Sequence, residues 1–271
     1  MATTDSSILN RRSFCLITGA SKGLGRCLAV RFASRLPSGS VLVLLARSAD
    51  LLKETRKLAL GAGQPGLRVL AIPTDLGRQN EQSMDVMLKQ IFVDFEVSAN
   101  DFQQAVMVHN AASLGDVSKH LVDFKEWGEC KEYFDLNLTA VIILNALFFK
   151  YFPKSAGLQR VVLNISSICA VQPFKSWSLY CAGKAARDMM FRTMALEEPD
   201  VRILNYAPGP LDTEMQQIAR TDTKDSELKQ LFQDMHLDQK LLTCDQSVDK
   251  LEKVLEKNTF LSGAHLDYYD L

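Results

Sequence analysis

A doubly wound α/β fold is what this sequence predicts: a seven-stranded, mostly parallel sheet with helices on both faces. Three observations predict it. Short β-branched or apolar runs alternate with longer segments of helical period, which is the pattern of repeated βαβ units. Most of those runs are apolar almost throughout, as strands buried on both faces require. A glycine-rich turn separates the first run from the first helical segment, where an open parallel sheet places its ligand.

The expected strands are Phe14–Thr18, Val41–Ala46, Leu67–Ile72, Gln104–His109, Arg160–Ile165, Val201–Tyr206 and Ala264–Tyr268. Helical periodicity fills Leu24–Leu36, Leu51–Ala62, Gln79–Phe95, Glu126–Phe149 and Leu179–Glu197, then an interrupted stretch from Thr213 to Lys257. Pro37-Ser38-Gly39, the Gly61 to Gly66 segment and Pro208-Gly209-Pro210 read as turns, not linkers, so residues 1–271 are expected to form a single domain. Met1 to Arg12 is polar and expected to be flexible. More than fifty residues separate the sixth and seventh strands, longer than one crossover needs, and a substrate-covering insertion belongs there.

Composition narrows the function classes. With 47% of residues apolar, the chain can bury a sizeable core. Lys+Arg at 31 against Asp+Glu at 32 leaves a net charge of −1, which disfavours nucleic acid and anionic membranes as partners and favours a small molecule. The six cysteines (Cys15, Cys27, Cys130, Cys169, Cys181, Cys244) lack ligand spacing, so they are expected to be free thiols in a reducing, cytoplasmic setting, with no metal site. The N-terminus lacks a signal-peptide stretch, and no apolar run was expected to approach membrane-spanning length.

The first strand runs into Thr18-Gly19-Ala20-Ser21-Lys22-Gly23-Leu24-Gly25. Glycines let the backbone turn sharply and approach a pyrophosphate, while the first N–H groups of the next helix favour its charge. The strand before and the helix after favour a Rossmann-like dinucleotide turn over a plain loop. An acidic residue about 20 positions on suits NAD, whereas here the second strand ends Ala46-Arg47. Arg47 and Lys22 put two cations where the extra phosphate of NADPH would lie; the alternative is that both are surface cations. Asp75 after the third strand could accept from the adenine amino group, or simply form a turn.

Near the fifth strand stands Asn164-Ile165-Ser166-Ser167, and thirteen positions beyond Ser167 comes Tyr180-Cys181-Ala182-Gly183-Lys184. Tyr180 and Lys184 share a helix face. Carbonyl reduction needs a proton donor for the nascent alkoxide, and a neighbouring ammonium is expected to lower the phenol's pKa and help it serve. Ser167 would donate to the carbonyl oxygen and polarise it. Singly, each residue also fits ordinary packing and turn roles.

The glycine turn, Tyr-x-x-x-Lys, the Ser thirteen residues before it and Pro208-Gly209 after the sixth strand together resemble the short-chain dehydrogenase/reductase family over nearly the whole chain. The resemblance implies Asn137 as a fourth catalytic residue that supports a proton relay, and Lys184 as a ligand of the nicotinamide ribose. It further implies cofactor contacts at Gly19, Ser21, Lys22, Gly23, Leu24, Gly25, Ala46, Arg47, Asp75, Leu76, Asn110, Ala111, Tyr180, Pro208, Gly209, Leu211, Thr213, Met215 and Gln216. After the fourth strand the chain reads His109-Asn110-Ala111-Ala112, a departure from the family's usual Asn-Asn-Ala-Gly that leaves the backbone path there open.

Longer strings resemble the pterin-reducing members of the family: Ser113 to Lys119, Asn164 to Asp188, Leu204 to Thr213 and Ser262 to Asp267. They imply a pterin side-chain carbonyl as substrate, contacted by Ser167, Tyr180, Gly209 and Asp267. A pterin edge presents two parallel donors that the Asp267 carboxylate can accept, although an Asp ending this strand also suits relatives that bind no pterin. Trp177, Leu114 and Cys169 are candidates for apolar walls or for plain packing. A reductase of other ketones and a non-catalytic NADPH sensor are the competing readings. Small residues along the helix from Leu179, with the family's habit, imply a homodimer.

Overall fold

The apolar runs become strands because the chain can cover both of their faces. The computed structural model describes residues 7–271. Its sheet contains β1 (Ser13–Thr18), β2 (Val41–Ala46), β3 (Arg68–Pro73), β4 (Gln104–His109), β5 (Gln159–Ile165), β6 (Val201–Ala207) and β7 (Ala264–Asp267). The order is β3-β2-β1-β4-β5-β6-β7, and every neighbouring pair is parallel. The mostly parallel sheet of the sequence reading is parallel throughout.

Between the strands run α1 (Gly23–Arg35), α2 (Ala49–Ala62), α3 (Glu81–Asp94), α4 (Trp127–Phe134), α5 (Ala140–Tyr151), α6 (Ser178–Glu197), α7 (Glu214–Asp222), α8 (Ser226–Leu237) and α9 (Cys244–Lys257). Strand alternation divides the core in two. Cys15 and Ile17 join the cluster made with α1, α2 and α9, whereas Phe14 and Leu16 join the one made with α3 and α5. On that second side the Phe14 ring lies 5.4 Å from Phe92 and 4.9 Å from Phe152. Such aromatic pairs add roughly 0.5–1.5 kcal/mol each beyond area burial.

Three features depart from the sequence reading. The expected helix Glu126–Phe149 is broken by a π-helical turn at Asp135–Thr139, which carries Asn137. The stretch Trp127–Tyr151 is also long and apolar enough by length and composition to cross a membrane. That corrects the expectation that no run approaches this length: scattered charges precede a dense apolar half, so the stretch contains no unbroken apolar run of that length. Val141, Leu144 and Phe148 of that half pack inward. Of the N-terminal segment expected to be flexible, residues 1–6 lie outside the described residues; Ile8 and Leu9 are buried, with the Ile8 N–H donating to the Leu255 carbonyl.

β1 and β4 are neighbours in the sheet but far apart in the chain, so the connections leave them in opposite directions and open a crevice at their carboxyl ends. The long insertion closes over it. Its α8 is capped by Asp225, which accepts from the Leu228 N–H at 2.9 Å, and Trp177 Nε1 donates to Thr223 Oγ1 at 3.0 Å. The Trp177 ring stacks on Phe232 at 5.2 Å. The region from Thr221 to Leu237 is thus an ordered cover.

Candidate active site

The crevice is a cleft of about 1020 Å³, at the top of the roughly 300–1,000 Å³ range of single small-molecule sites. It runs from the glycine turn, past the ends of β4 and β5, to β7.

At one end, Gly19 and Gly23 have φ of +67° and +53°, where a side chain would be strained. A Cβ on Gly25 would stand 2.5 Å from Asn110 Nδ2 and closer still to the Gly19 carbonyl. The turn is held from β4. Thr18 Oγ1 donates to the Val108 carbonyl and accepts the N–H groups of Asn110 and Ala111, each at 3.0 Å. Asn110 Nδ2 returns the connection, donating to the carbonyls of Thr18 at 2.9 Å and Gly19 at 3.2 Å. Ser21, Leu24, Ala46, Arg47, Leu76 and Ala111 line the same end of the cleft, as does Lys22. Arg47 is exposed and has no ion-pair partner among the described residues, whereas Lys22 pairs with Glu214 across the turn. Asp75 does not line the cleft; it caps a short turn, its Oδ1 accepting from the Gly77 N–H at 3.2 Å.

In the middle, β5 delivers Ser167 and the first turns of α6 deliver Tyr180 and Lys184 to one wall. Lys184 Nζ donates to the Ile165 carbonyl at 2.6 Å and lies 5.5 Å from the centre of the Tyr180 ring. Burial drives the two groups apart. It pushes the phenol well above its ordinary value, with a hydrogen bond to Ser167 pulling weakly the other way. Burial, aided by the Arg187 guanidinium, brings the Lys184 ammonium down to about 7. Desolvation is thus the largest influence on the Tyr180 phenol.

Asn137 is buried and off the cleft wall. Its Oδ1 accepts the Ser113 N–H at 2.9 Å and its Nδ2 donates to the Tyr133 carbonyl at 2.9 Å, so the side chain ties the loop after β4 to the π-helical turn. Pro208, Gly209, Leu211, Thr213, Met215 and Gln216 line the cleft after β6, and Leu114, Cys169 and Trp177 form an apolar wall. At the far end Asp267 is half-buried at the close of β7; its Oδ1 accepts the Tyr269 N–H at 2.9 Å, leaving lone pairs for a ligand.

Sequence reasoning missed a buried polar group beneath this wall. Arg187 donates through Nε to Asn164 Oδ1 at 2.9 Å, and through its terminal nitrogens to the carbonyls of His109 at 2.6 Å and Ala111 at 3.1 Å. That guanidinium holds the backbone where the chain departs from the family's Asn-Asn-Ala-Gly. His109 itself is buried against Phe191, and burial brings its imidazole down to about 3. Asp188 and His265 complete the group. Spacing alone places them near the site without pairing them: Asp188 follows Lys184 by one helical turn, and His265 shares a strand face with Asp267.

The chain is matched by the family model described as short chain dehydrogenase over residues 13–224. It is 47% identical to a sepiapterin reductase of Meriones unguiculatus over 256 residues, 94% of this chain and 96% of that protein. A benzil reductase of Bacillus subtilis that forms (S)-benzoin is 31% identical over 249 residues, 90% of this chain and 93% of that one. Among solved structures, the KRED1-Pglu enzyme superposes with a TM-score of 0.77 at 26% identity, covering 94% of this chain and all of that one. With its parallel seven-stranded sheet, its glycine turn and a family model spanning most of its length, the chain belongs to the short chain dehydrogenase family.

Proposed function

We propose that the protein is an NADPH-dependent reductase of pterin side-chain carbonyls, taking 6-pyruvoyl-tetrahydropterin to tetrahydrobiopterin and sepiapterin to dihydrobiopterin. One observation carries the reading: Ser167, Tyr180 and Lys184 share a wall of one cleft, with the glycine cradle at one end and the Asp267 carboxylate at the other. The similarity to sepiapterin reductases over nearly the full chain supports the substrate class.

The cradle suits a dinucleotide, because the positions of Gly19 and Gly25 leave no room for a Cβ and bring bare backbone to the cleft. Gly19, Ser21, Gly23, Leu24 and Gly25 would take the pyrophosphate, and Arg47, with Lys22 once released from Glu214, the 2′-phosphate. Ala46, Leu76, Asn110 and Ala111 would flank the adenosine; Pro208, Gly209, Leu211, Thr213, Met215 and Gln216 would enclose the nicotinamide half. When bound, NADPH supplies hydride to the carbonyl carbon. Ser167 donates a hydrogen bond to the carbonyl oxygen as negative charge grows there. Tyr180, kept protonated by its burial, gives its proton to that oxygen. Lys184, 5.5 Å from the centre of the Tyr180 ring, holds a proton for the relay and binds the nicotinamide ribose, while Asn137 supports the relay by fixing the loop at Ser113. Asp267 accepts the two parallel donors of the pterin edge.

A second reading, reduction of other ketones or dicarbonyls at the same wall, draws on the similarity to a benzil reductase and on the apolar lining at Leu114, Cys169 and Trp177. The proposed enzyme is a cytoplasmic homodimer. In support, its six thiols are unpaired, and Trp127, Ile142, Met189 and Leu196 expose apolar surface on α4, α5 and α6. The test is the oxidation of NADPH followed spectrophotometrically with sepiapterin, with NADH and Tyr180→Phe in parallel. Turnover with NADPH that Tyr180→Phe lowers by about 10²–10⁴-fold is expected; a preference for NADH, or full turnover by the variant, overturns the corresponding part.

A further inference from the structure

Four polar residues form a row across one face of the sheet. His109, Asn164, Asn205 and His265 are in register on β4, β5, β6 and β7. Burying such a row costs free energy that apolar side chains of the same size would not, so its return lies in fixed geometry. Asp188 of α6 sits over the row and is itself buried. Its Oδ1 accepts from Ser166 Oγ at 2.6 Å and from Asn164 Nδ2 at 3.2 Å, while Oδ2 is bonded to His265 Nδ1. That bond also raises the affinity of His265 for its proton.

The two ends of this tether border the chemistry. Ser166 adjoins Ser167. His265 stands two residues before Asp267 and on the same face of β7. β7 needs a tether: it is a four-residue edge strand paired only to β6, and each of its residues is half-exposed. His265 Nε2 is buried without a hydrogen-bond partner among the described residues, so the imidazole is held through Nδ1 alone.

We propose that Asp188 and His265 are positioning residues, which hold the edge strand β7 so that Asp267 faces Ser167 and Tyr180 at the separation a pterin spans. The inference rests on Asp267 being the pterin anchor. Neither residue is given a proton-transfer role; they act through Asp267.

The test compares wild type, His265→Ala, His265→Asn, Asp267→Ala and the double variant His265→Ala/Asp267→Ala, each with sepiapterin and with benzil. Affinity for NADPH is measured by fluorescence titration. An asparagine Nδ2 lies the same number of bonds from the backbone as histidine Nδ1, so His265→Asn keeps the bond to Asp188. Since losing an interaction made equally in the ground and transition states raises KM and leaves kcat, His265→Ala, which loosens Asp267, is expected to raise KM for sepiapterin at least about tenfold. Its kcat, its KM for benzil and its NADPH affinity should stay within about twofold, and His265→Asn should restore most of the KM. The double variant should be no worse than Asp267→Ala alone, because two changes acting through one group are not additive.

Wild-type KM in His265→Ala, additive losses in the double variant, or equal losses with benzil would overturn the inference and leave the pterin reading intact. A wild type that reduces benzil but not sepiapterin would overturn the pterin reading, and the inference with it.

Discussion

Replacing Gly25 by alanine tests whether the glycine turn and β4 are one mechanical unit. The new Cβ would stand 2.5 Å from Asn110 Nδ2, closer to the Gly19 carbonyl oxygen and 2.8 Å from the Gly19 carbonyl carbon. Two of these atoms are backbone, and the third is a side-chain tip held by two hydrogen bonds. The two bonds from Asn110 Nδ2 to the carbonyls of Thr18 and Gly19 must stretch or break, at about 0.5–1.5 kcal/mol each. Overpacking adds roughly 1–3 kcal/mol. The sum, about 2–6 kcal/mol, corresponds to a fall in Tm of about 4–24 °C for a chain of this size. The same displacement moves the first N–H groups of α1, so NADPH should bind at least about tenfold more weakly. Gly61→Ala is the control: it lies in α2 with nothing within 4 Å of a new Cβ, and should raise stability by up to about 1 kcal/mol without altering kinetics. Calorimetry and a fluorescence titration read both effects. A Gly25→Ala protein with wild-type Tm and NADPH affinity would refute the reasoning.

Arg47→Glu should weaken NADPH by about 10–100-fold, the worth of roughly 1.5–3 kcal/mol in charge-assisted hydrogen bonds, and improve NADH; equal losses with both cofactors would count against Arg47 as the phosphate ligand. Glu214→Gln releases Lys22 from an exposed pair worth up to about 1 kcal/mol, so NADPH should bind up to about fivefold more tightly, read as a lower KM. With the Lys184 ammonium held down to about 7, kcat/KM should be level below that pH and fall above it, while a profile flat to pH 9 would exclude the ammonium from the reaction. The same lowering means that between about 7 and the ordinary 10.5 the unfolded chain binds the proton that the folded one has lost; stability relative to Lys184→Met should therefore rise with pH across that window, as melts at several pH values would record.

Strand placement was legible because parallel strands buried on both faces must be apolar, and each expected strand lies within one residue of its place at either end. Helix continuity was less so. Periodicity runs unbroken through Asp135–Thr139, since one extra residue in a turn shifts the apolar face too little to read, and the π-helical turn at Asn137 went unseen. The turn, Ser167, Tyr180 and Lys184 were legible as motifs because their chemistry fixes their spacing. The roles of Arg187, Asp188 and His265 were not, because their partners come from β4, β5 and β7 and only the register of the sheet brings them together. Lys22 was read as a cation for the NADPH phosphate or the surface, with no sign that α7 would bring Glu214 beside it.

The opposed effects of burial on Tyr180 and Lys184 support one order of proton movement in the proposed reaction. In water a phenol and an ammonium are almost equal acids, near 10 and 10.4, and neither has a reason to go first. In the cleft the phenol is driven up and the ammonium down. Tyr180 therefore stays protonated until an alkoxide, a far stronger base than its own phenolate, forms beside it. Once that proton is given, the phenolate left in a desolvated pocket is a stronger base than the neutral amine of Lys184, and the proton of Lys184 moves to it downhill. Environments that push two titratable groups apart thus assign the donor and its supply. In the proposed mechanism the lysine is the reservoir that restores the tyrosine.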